Sequence, residues 1–167
     1  MLLETLRTVF AREIRSVEEQ LKAYENEADL WALPPGIANS AGTLALHLAG
    51  NLQALVGAAL GGTGYVRDRD AEFARRNVPR ADLLRGLDEA ADAVDKTLRH
   101  LPAADLAKDY PLQVGGVTVS VERFLVHLET HLAYHLGQID YHRRLVTGRA
   151  ETVGALSIAA LVPGSPA

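Results

Sequence analysis

The sequence of residues 120–148, SVERFLVHLETHLAYHLGQIDYHRRLVTG, predicts one long helix that carries four of the six histidines in the chain. The helix is expected to span about residues 120–146 and to stop at Gly148, because a glycine commonly follows the last turn. One row of residues along it advances in alternating steps of three and four, which is the spacing of inward-facing positions in a helical bundle. That row consists of Val121, Phe124, Leu128, His131, His135, Gln138, His142 and Leu145.

Two histidines of this row, His131 and His135, have the spacing of a metal-binding pair. Because they are four residues apart, their side chains stack on consecutive turns of one helix face, and both imidazoles can reach a single ion. His127 lies on the same side of the helix but about 80° around it from His135, which makes it a poorer third ligand. Histidines at this spacing also occur on solvated faces and as pH-sensitive packing groups. A ligand from another helix is therefore needed to support a metal site.

His47 is the candidate for that third ligand. It lies at the border of an apolar face of the second predicted helix, and Asn51 follows it by one turn. The face is made of Leu44, Leu48, Leu52 and Leu55. A single histidine on such a face is more often a packed core residue than a ligand, but opposite an inward-facing pair the ligand interpretation is favoured. The three histidines together predict a divalent metal site.

Three further helices are predicted from apolar residues that recur at three- and four-residue steps. The first runs from near the N-terminus to about residue 29, where residues 34–36, Pro-Pro-Gly, break the pattern. The second begins at Asn39 or Ser40 and ends at residue 61, and the third follows residue 79 and ends near residue 102. The chain is therefore expected to be all-α.

Four long helices in one small chain predict a four-helix bundle of residues 1–148, followed by a tail of residues 149–167. The connection between the second and third helices, residues 64–77, is long and charged, so simple up-down-up-down wiring does not follow from the sequence. Residues 110–119 hold two glycines between β-prone residues, which predicts a short hairpin or an extended turn.

Composition excludes several classes of protein. The chain has no cysteine, so disulfides, thiolate ligands and a cysteine nucleophile are ruled out. The net charge of −4 gives no basic surface for nucleic acid. The first ten residues include Glu4 and Arg7 and lack the apolar core of a signal peptide. A cytoplasmic protein without nucleic-acid partners is expected.

One segment has the length of a membrane span. No Asp, Glu, Lys or Arg lies between Asp29 and Arg67, and residues 40–60 could cross a bilayer. Three polar residues lie in the middle of that segment, namely His47, Asn51 and Gln53, and one weakly apolar helix offers them no partners in lipid. A helix buried inside a soluble bundle explains the same lack of charge.

The segment 131–139, HLAYHLGQI, resembles the His-x3-His-x-Gly-Gln-Ile signature of the DinB-like superfamily. In residues 44–52, LALHLAGNL, His47 stands where the first ligand of that superfamily belongs. The segments 67–73, RDRDAEF, and 137–144, GQIDYHRR, are similar to an uncharacterised branch of it. The resemblance covers about residues 1–148 and implies a four-helix bundle in which His47, His131 and His135 hold one divalent ion.

The resemblance also implies a range of functions. Characterised relatives include thiol-dependent transferases and isomerases that use bacillithiol or mycothiol, and relatives are often homodimers. Three imidazoles leave open positions on an ion, which is the catalytic rather than the structural pattern. The first hypothesis is an enzyme that activates a thiol or water for transfer to, or hydrolysis of, a small substrate. The second is a non-catalytic metal-binding bundle with a stress-related binding role. Zinc is the expected metal, and nickel or iron also suits three imidazoles.

Several other residues are candidates for supporting roles. Glu72 and Asp70 are candidate general bases, and the alternative for both is a solvated loop that forms salt bridges with Arg67 and Arg69. Gln138, Asn51 and His127 are candidates to lie beside the ligands and orient them or a water molecule. The alternative for the two amides is a buried polar residue satisfied by the backbone. The apolar side of the first helix, with Tyr134 and Tyr141, is the expected dimer surface.

Overall fold

The computed structural model describes residues 1–154 and 156–162, and within these residues regular structure is helical, with isolated β-bridges in place of strands. The described residues form five α-helices, which are α1 (Leu2–Lys22), α2 (Ala41–Leu52), α3 (Arg69–Ala74), α4 (Arg80–His100) and α5 (Val121–Thr147). Helix α2 continues as a π-helical stretch, Gln53–Ala58, and short 3-10 turns occupy Glu27–Trp31, Ala103–Ala107 and Ile158–Leu161. The prediction of an all-helical chain is confirmed.

Helix α1 ends earlier than the sequence pattern predicts. Its apolar row is buried as expected, but the helix stops at Lys22 rather than near Asp29. The side chain of Asn26 accepts a hydrogen bond from the backbone N–H of Ala28 at 3.1 Å and begins a separate 3-10 turn. Asparagine favours such local caps over helix continuation. Tyr24, in the break, is nevertheless fully buried.

Helix α2 is enclosed on nearly every side. Ser40 caps it, with Oγ accepting from the backbone N–H of Thr43 at 3.2 Å, which confirms Ser40 as a start signal. Eleven of its twelve residues are buried, because α4 and α5 flank it and α3 covers it. This burial explains why the segment carries no charged side chain. No helix among the described residues has the length and hydropathy needed to cross a membrane.

The face that α5 turns to the core is displaced from the predicted row. Its buried leucines and isoleucine form a neighbouring row, made of Leu125, Leu128, Leu132, Leu136 and Ile139. Gln138 and Leu145 are exposed instead of buried, whereas His131 and His135 lie half-buried at the border. Both rows advance in steps of three and four, and burying the more apolar row costs less free energy. The histidines are thus placed beside the core rather than inside it.

Four long helices pack around one apolar core. Helices α1 and α2 each contact both α4 and α5, and α3 packs on α2. The line of contact between α2 and α5, which we call the α2–α5 seam, carries the predicted histidine site. The connection before α4 contains α3, a helix that the sequence analysis treated as part of a charged loop. Residues 110–119 form the expected turn, held by the bridge between Val114 and Val117.

The first part of the tail docks against α1 and α5. Gln20 donates to the backbone carbonyl of Val153 at 2.8 Å, and the fully buried Arg143 donates to that of Glu151 at 2.8 Å. Arg143 also donates to Oε1 of Gln20 at 2.7 Å, so one polar network joins the two helices and the tail. The division at residue 148 stays a prediction, and Ala155 and residues 163–167 of the predicted tail lie outside the described residues.

Candidate metal centre

Three histidines meet across the α2–α5 seam. Nε2 of His47, on α2, lies 3.3 Å from Nε2 of His131, and Nε2 of His135 lies 3.1 Å from that same atom. One nitrogen from each of the three side chains can be chosen so that all lie within 4.8 Å of one another. Since imidazole nitrogens are common ligands of late first-row divalent metals, this group could hold a metal ion.

Hydrogen bonds at the opposite ring nitrogens determine which nitrogens point inward as acceptors. Nδ1 of His47 lies 3.1 Å from Oε2 of Glu72, and Nδ1 of His135 lies 2.7 Å from Oε1 of Gln138. Nδ1 of His135 faces an amide oxygen and donates to it. Nδ1 of His47 also lies 3.2 Å from Nη2 of Arg67, a donor, but both Nη2 and this nitrogen point at the same carboxylate oxygen of Glu72, so we assign the proton to Nδ1 of His47 as well. The Nε2 lone pairs of these two rings then face the third ring. Lone pairs that converge in this way repel unless a proton or a cation lies between them, and the residues therefore fit a metal ion.

Glu72 supports His47 from the short helix α3. Its side chain is only 7% exposed and accepts hydrogen bonds from Nε of Arg67 at 2.7 Å and from Nη2 of Arg67 at 2.8 Å. Both carboxylate oxygens are therefore engaged, one by Arg67 alone and the other by Arg67 and His47. A carboxylate that holds the distal nitrogen of a ligand histidine fixes its tautomer and ring orientation. Asp70, on the same short helix, is exposed.

Gly50 makes the approach of Glu72 possible. A Cβ atom at Gly50 would lie 2.1 Å from Oε1 of Glu72, far inside van der Waals contact. Only a glycine at this position of α2 lets the buried carboxylate lie against the helix backbone and reach His47. Neither Gly50 nor Arg67 was predicted to support the site. The only signal in the sequence is an isolated glycine inside an otherwise good helical pattern, which often marks close packing.

Burial keeps the inner histidines neutral. Burial, together with like-charge repulsion from the neighbouring His135 and His47, lowers the pKa of His131 to about 4. Burial also lowers the pKa of His47, although the hydrogen bond to Glu72 opposes that shift. A metal ligand must be unprotonated. The two rings therefore present the required form near neutral pH.

Aromatic rings surround the histidine group. The ring of Phe73 lies 5.0 Å from that of His47, and the ring of Tyr134 lies 5.3 Å from that of His135. His127 is exposed, and its ring stacks on Phe124 at 5.9 Å. The ring of His127 is 6.3 Å from that of His131, and His127 is not one of the three histidines whose nitrogens converge.

Asn51, a predicted supporting residue, carries a buried amide. It is buried, it follows His47 by one turn of α2, and its Oδ1 has no hydrogen-bond partner in the described part of the chain. A buried acceptor without a partner is costly in a protein of this kind. Gln138, the other predicted amide, is exposed and bonded to His135 rather than to the backbone.

Comparison with known proteins gives one family. A family model described as "Protein of unknown function (DUF1572)" matches residues 1–160, which include α1 to α5 and the docked part of the tail. No curated protein matches the chain.

Proposed function

Since the chain belongs to the DUF1572 family, described as proteins of unknown function, we propose a function from the site itself. The protein binds one divalent metal ion through His47, His131 and His135, and uses it to activate a thiol or a water molecule. The reaction would be the transfer of that thiol to a small substrate, or the hydrolysis of one. The observation that carries this proposal is the convergence of three Nε2 atoms, with the rings of His47 and His135 held from behind by Glu72 and Gln138.

The ligand set supports a catalytic rather than a structural ion. A divalent ion held by three imidazoles keeps open positions and lowers the pKa of a water or thiol that it binds. We propose zinc as the ion, with nickel or iron as substitutes, because all-imidazole sites suit several late first-row metals. The order of the helices and the three histidine positions also support a DinB-like four-helix bundle, in which low-molecular-weight thiols are the expected co-substrates.

The residues around the ion have separate tasks in this proposal. Glu72 orients His47, because both of its oxygens are already engaged, and it is therefore a poorer candidate for the general base. Gln138 orients His135.

Metal analysis tests the site. Purified protein is expected to carry about one divalent ion per chain. Replacing His47, His131 or His135 by alanine should abolish tight binding, whereas His127→Ala should cause a smaller loss. The exposed His100, whose Nδ1 contacts a backbone carbonyl at 2.8 Å, is the control, and His100→Ala should retain the ion. Absence of metal, together with no thermal stabilisation by added zinc or nickel, would contradict the proposal.

Turnover separates the enzyme from a non-catalytic metal-binding protein. Metal-loaded protein is expected to conjugate or isomerise a small electrophile in the presence of bacillithiol or mycothiol, or to hydrolyse an ester, amide or phosphoester. The folded His131→Ala protein should do neither. Uniform inactivity with the metal fully bound would favour the binding protein.

A further inference from the structure

A groove opens beside the histidine group, between residues 36–39, the first turn of α2 and the C-terminal half of α5. Its volume is about 440 Å³, within the range of roughly 300–1,000 Å³ that small-molecule sites occupy. Much of its wall is apolar, formed by Ile37, Leu44, Tyr141 and Leu145. The groove is large enough to enclose much of a small organic molecule.

The groove begins one helical turn from the proposed metal position. Leu44 precedes His47 by three residues and Gln138 follows His135 by three, and both line the groove. Three residues correspond to about 4.5 Å along a helix axis. Since Leu44 lies before one ligand and Gln138 after the other, α2 and α5 run antiparallel here and the groove extends along their seam. The three histidines do not line the groove; Gln138, whose Oε1 lies 2.7 Å from Nδ1 of His135, joins it to the site. A molecule in the groove must therefore extend about one helical turn beyond it to reach the proposed ion.

The described wall of the groove carries no formal charge. None of the described residues that line it is Asp, Glu, Lys or Arg. The imidazole of His142 is part of this wall, and both of its ring nitrogens are used: Nε2 donates to the carbonyl of Ala32 at 2.9 Å, and Nδ1 accepts from the hydroxyl of Tyr24 at 2.7 Å. Burial lowers the pKa of His142, which favours this neutral form of the ring. An ionic group in the groove would lose its hydration without gaining a counter-charge.

A second cavity on the other side of Glu72 shows the contrast. It has a volume of about 280 Å³ and is lined by two arginines and several carboxylates, among them Arg75, Arg85, Asp82 and Glu89. Charged groups would find partners there, whereas the described polar side chains of the larger groove are uncharged: the amides of Asn39 and Gln138, the hydroxyl of Tyr141 and the ring of His142. The two cavities therefore differ in the chemistry that they accept.

We propose that the groove binds the uncharged, mainly apolar body of the substrate, an alkyl chain or an aromatic ring, while the head group of that substrate reaches the metal. This inference rests on the proposed metal centre, and it selects neutral apolar molecules over acidic ones for the groove. An acidic thiol, if it is used, is placed outside this groove.

Hydroxamates of different tails test the inference on cobalt-loaded protein, because the hydroxamate binds the metal and changes the cobalt absorption spectrum. The probes are acetohydroxamate, octanohydroxamate and an eight-carbon hydroxamate that ends in a carboxylate. The octano tail is expected to lower Kd about tenfold or more relative to acetohydroxamate, because it buries several methylenes. The terminal carboxylate should remove most of that gain. Equal Kd values for acetohydroxamate and octanohydroxamate, or tighter binding of the carboxylate-ended probe, would overturn the inference.

A variant that places a negative charge in the groove tests the same inference from the side of the protein. Leu145 is 57% exposed, so Leu145→Glu is not expected to disturb folding. It should raise Kd for octanohydroxamate about fivefold or more and leave Kd for acetohydroxamate unchanged. Val126→Glu is the control, because Val126 is 44% exposed on the same helix but outside the groove. Equal effects of the two variants on octanohydroxamate would overturn the inference.

Failure of the groove and failure of the metal centre give different results. If acetohydroxamate perturbs the cobalt spectrum but a longer tail adds no affinity, the metal centre stands and the groove assignment is wrong. If the protein takes up no cobalt, or if acetohydroxamate leaves the spectrum unchanged, the proposed function fails and the groove assignment fails with it.

Discussion

The carboxylate of Glu72 accepts hydrogen bonds from Arg67 and from Nδ1 of His47 while it is almost fully buried. Such a group influences a metal through the ligand that it holds, because it fixes the ring and increases its basicity. The proposed ion would therefore be affected by a residue that does not touch it. This arrangement can be tested at the level of single side chains.

Replacing the charge of Glu72 should weaken metal binding without removing a ligand. Glu72→Gln keeps the shape of the side chain but loses the negative charge, and zinc affinity is expected to fall about tenfold, near the lower end of what partners of ligand histidines contribute. Competition with a chromophoric chelator measures this change. Asp70→Asn, on the exposed face of α3, is the matched control and should have no effect. An unchanged affinity in Glu72→Gln would exclude the orienting role.

At the scale of helices, Gly50 determines how closely α3 can approach α2. In Gly50→Ala the added methyl would lie only 2.1 Å from Oε1 of Glu72, so the carboxylate must move away from His47. Zinc affinity is expected to fall at least as far as in Glu72→Gln. Gly86→Ala is the control, because a Cβ there would meet only Ala49, at an ordinary 3.6 Å. Equal zinc affinities of the two alanine variants would show that the contact between α2 and α3 does not position the site.

The sequence predicted the helices of the fold better than their orientation. The buried row of α1 and the cap at Ser40 could be read directly, because periodicity and capping depend on local chemistry. The buried face of α5 could not be predicted from the sequence. Two adjacent rows of residues on this helix have the same spacing, and only packing against the neighbouring helices decides which row is buried. The predicted end of α1 was wrong, because Asn26 begins a separate local turn.

The candidate site shows the same division between local and distant information. His131 and His135 were identified from their spacing on one helix, and His47 from its place opposite them. Glu72 was singled out as a candidate general base. Its contact with His47 could not be predicted, because the two residues are twenty-five positions apart in the chain. Gly50 was missed, since a glycine indicates close packing only when the neighbour is known.

At the scale of the whole molecule, acid should destabilise the fold through its buried histidines. Burial lowers the pKa of His142 below its usual value of 6.5. The unfolded chain therefore binds a proton at this residue before the folded chain does, and the free energy of unfolding falls as pH decreases below about 6.5. In metal-free protein, His142→Gln should show a smaller difference in stability between pH 7.5 and pH 5.5 than the unaltered protein does. Urea denaturation at the two pH values measures this, and His100→Gln, at an exposed position, should leave the difference unchanged. An undiminished difference in His142→Gln would contradict the assignment.

The apolar side of α1, which the sequence analysis included in the dimer surface, is buried in the core of the chain and cannot serve as that surface. Self-association is therefore expected through the outer face of α5. Tyr134 and Tyr141 are 65% and 75% exposed, an unusual degree for large aromatic side chains on one helix face. We expect a homodimer, with a mass by light scattering of about twice the 18.0 kDa of the chain. Tyr134→Arg combined with Tyr141→Arg should reduce the mass to that of one chain. Leu112→Arg, at another exposed apolar residue, should not. A single-chain mass for the unaltered protein at micromolar concentration would exclude the dimer.

The three histidines come from two helices that lie far apart in the chain, and one ion bound by all three would act as a removable cross-link between those helices. Since the unfolded chain does not bring the ligands together, the ion binds mainly the folded form. Each tenfold rise in free metal above Kd then adds about 1.4 kcal/mol to the free energy of unfolding. The amount of protein that survives proteolysis in a cell would consequently follow the supply of metal, so the abundance of this protein would report metal availability whatever reaction it catalyses.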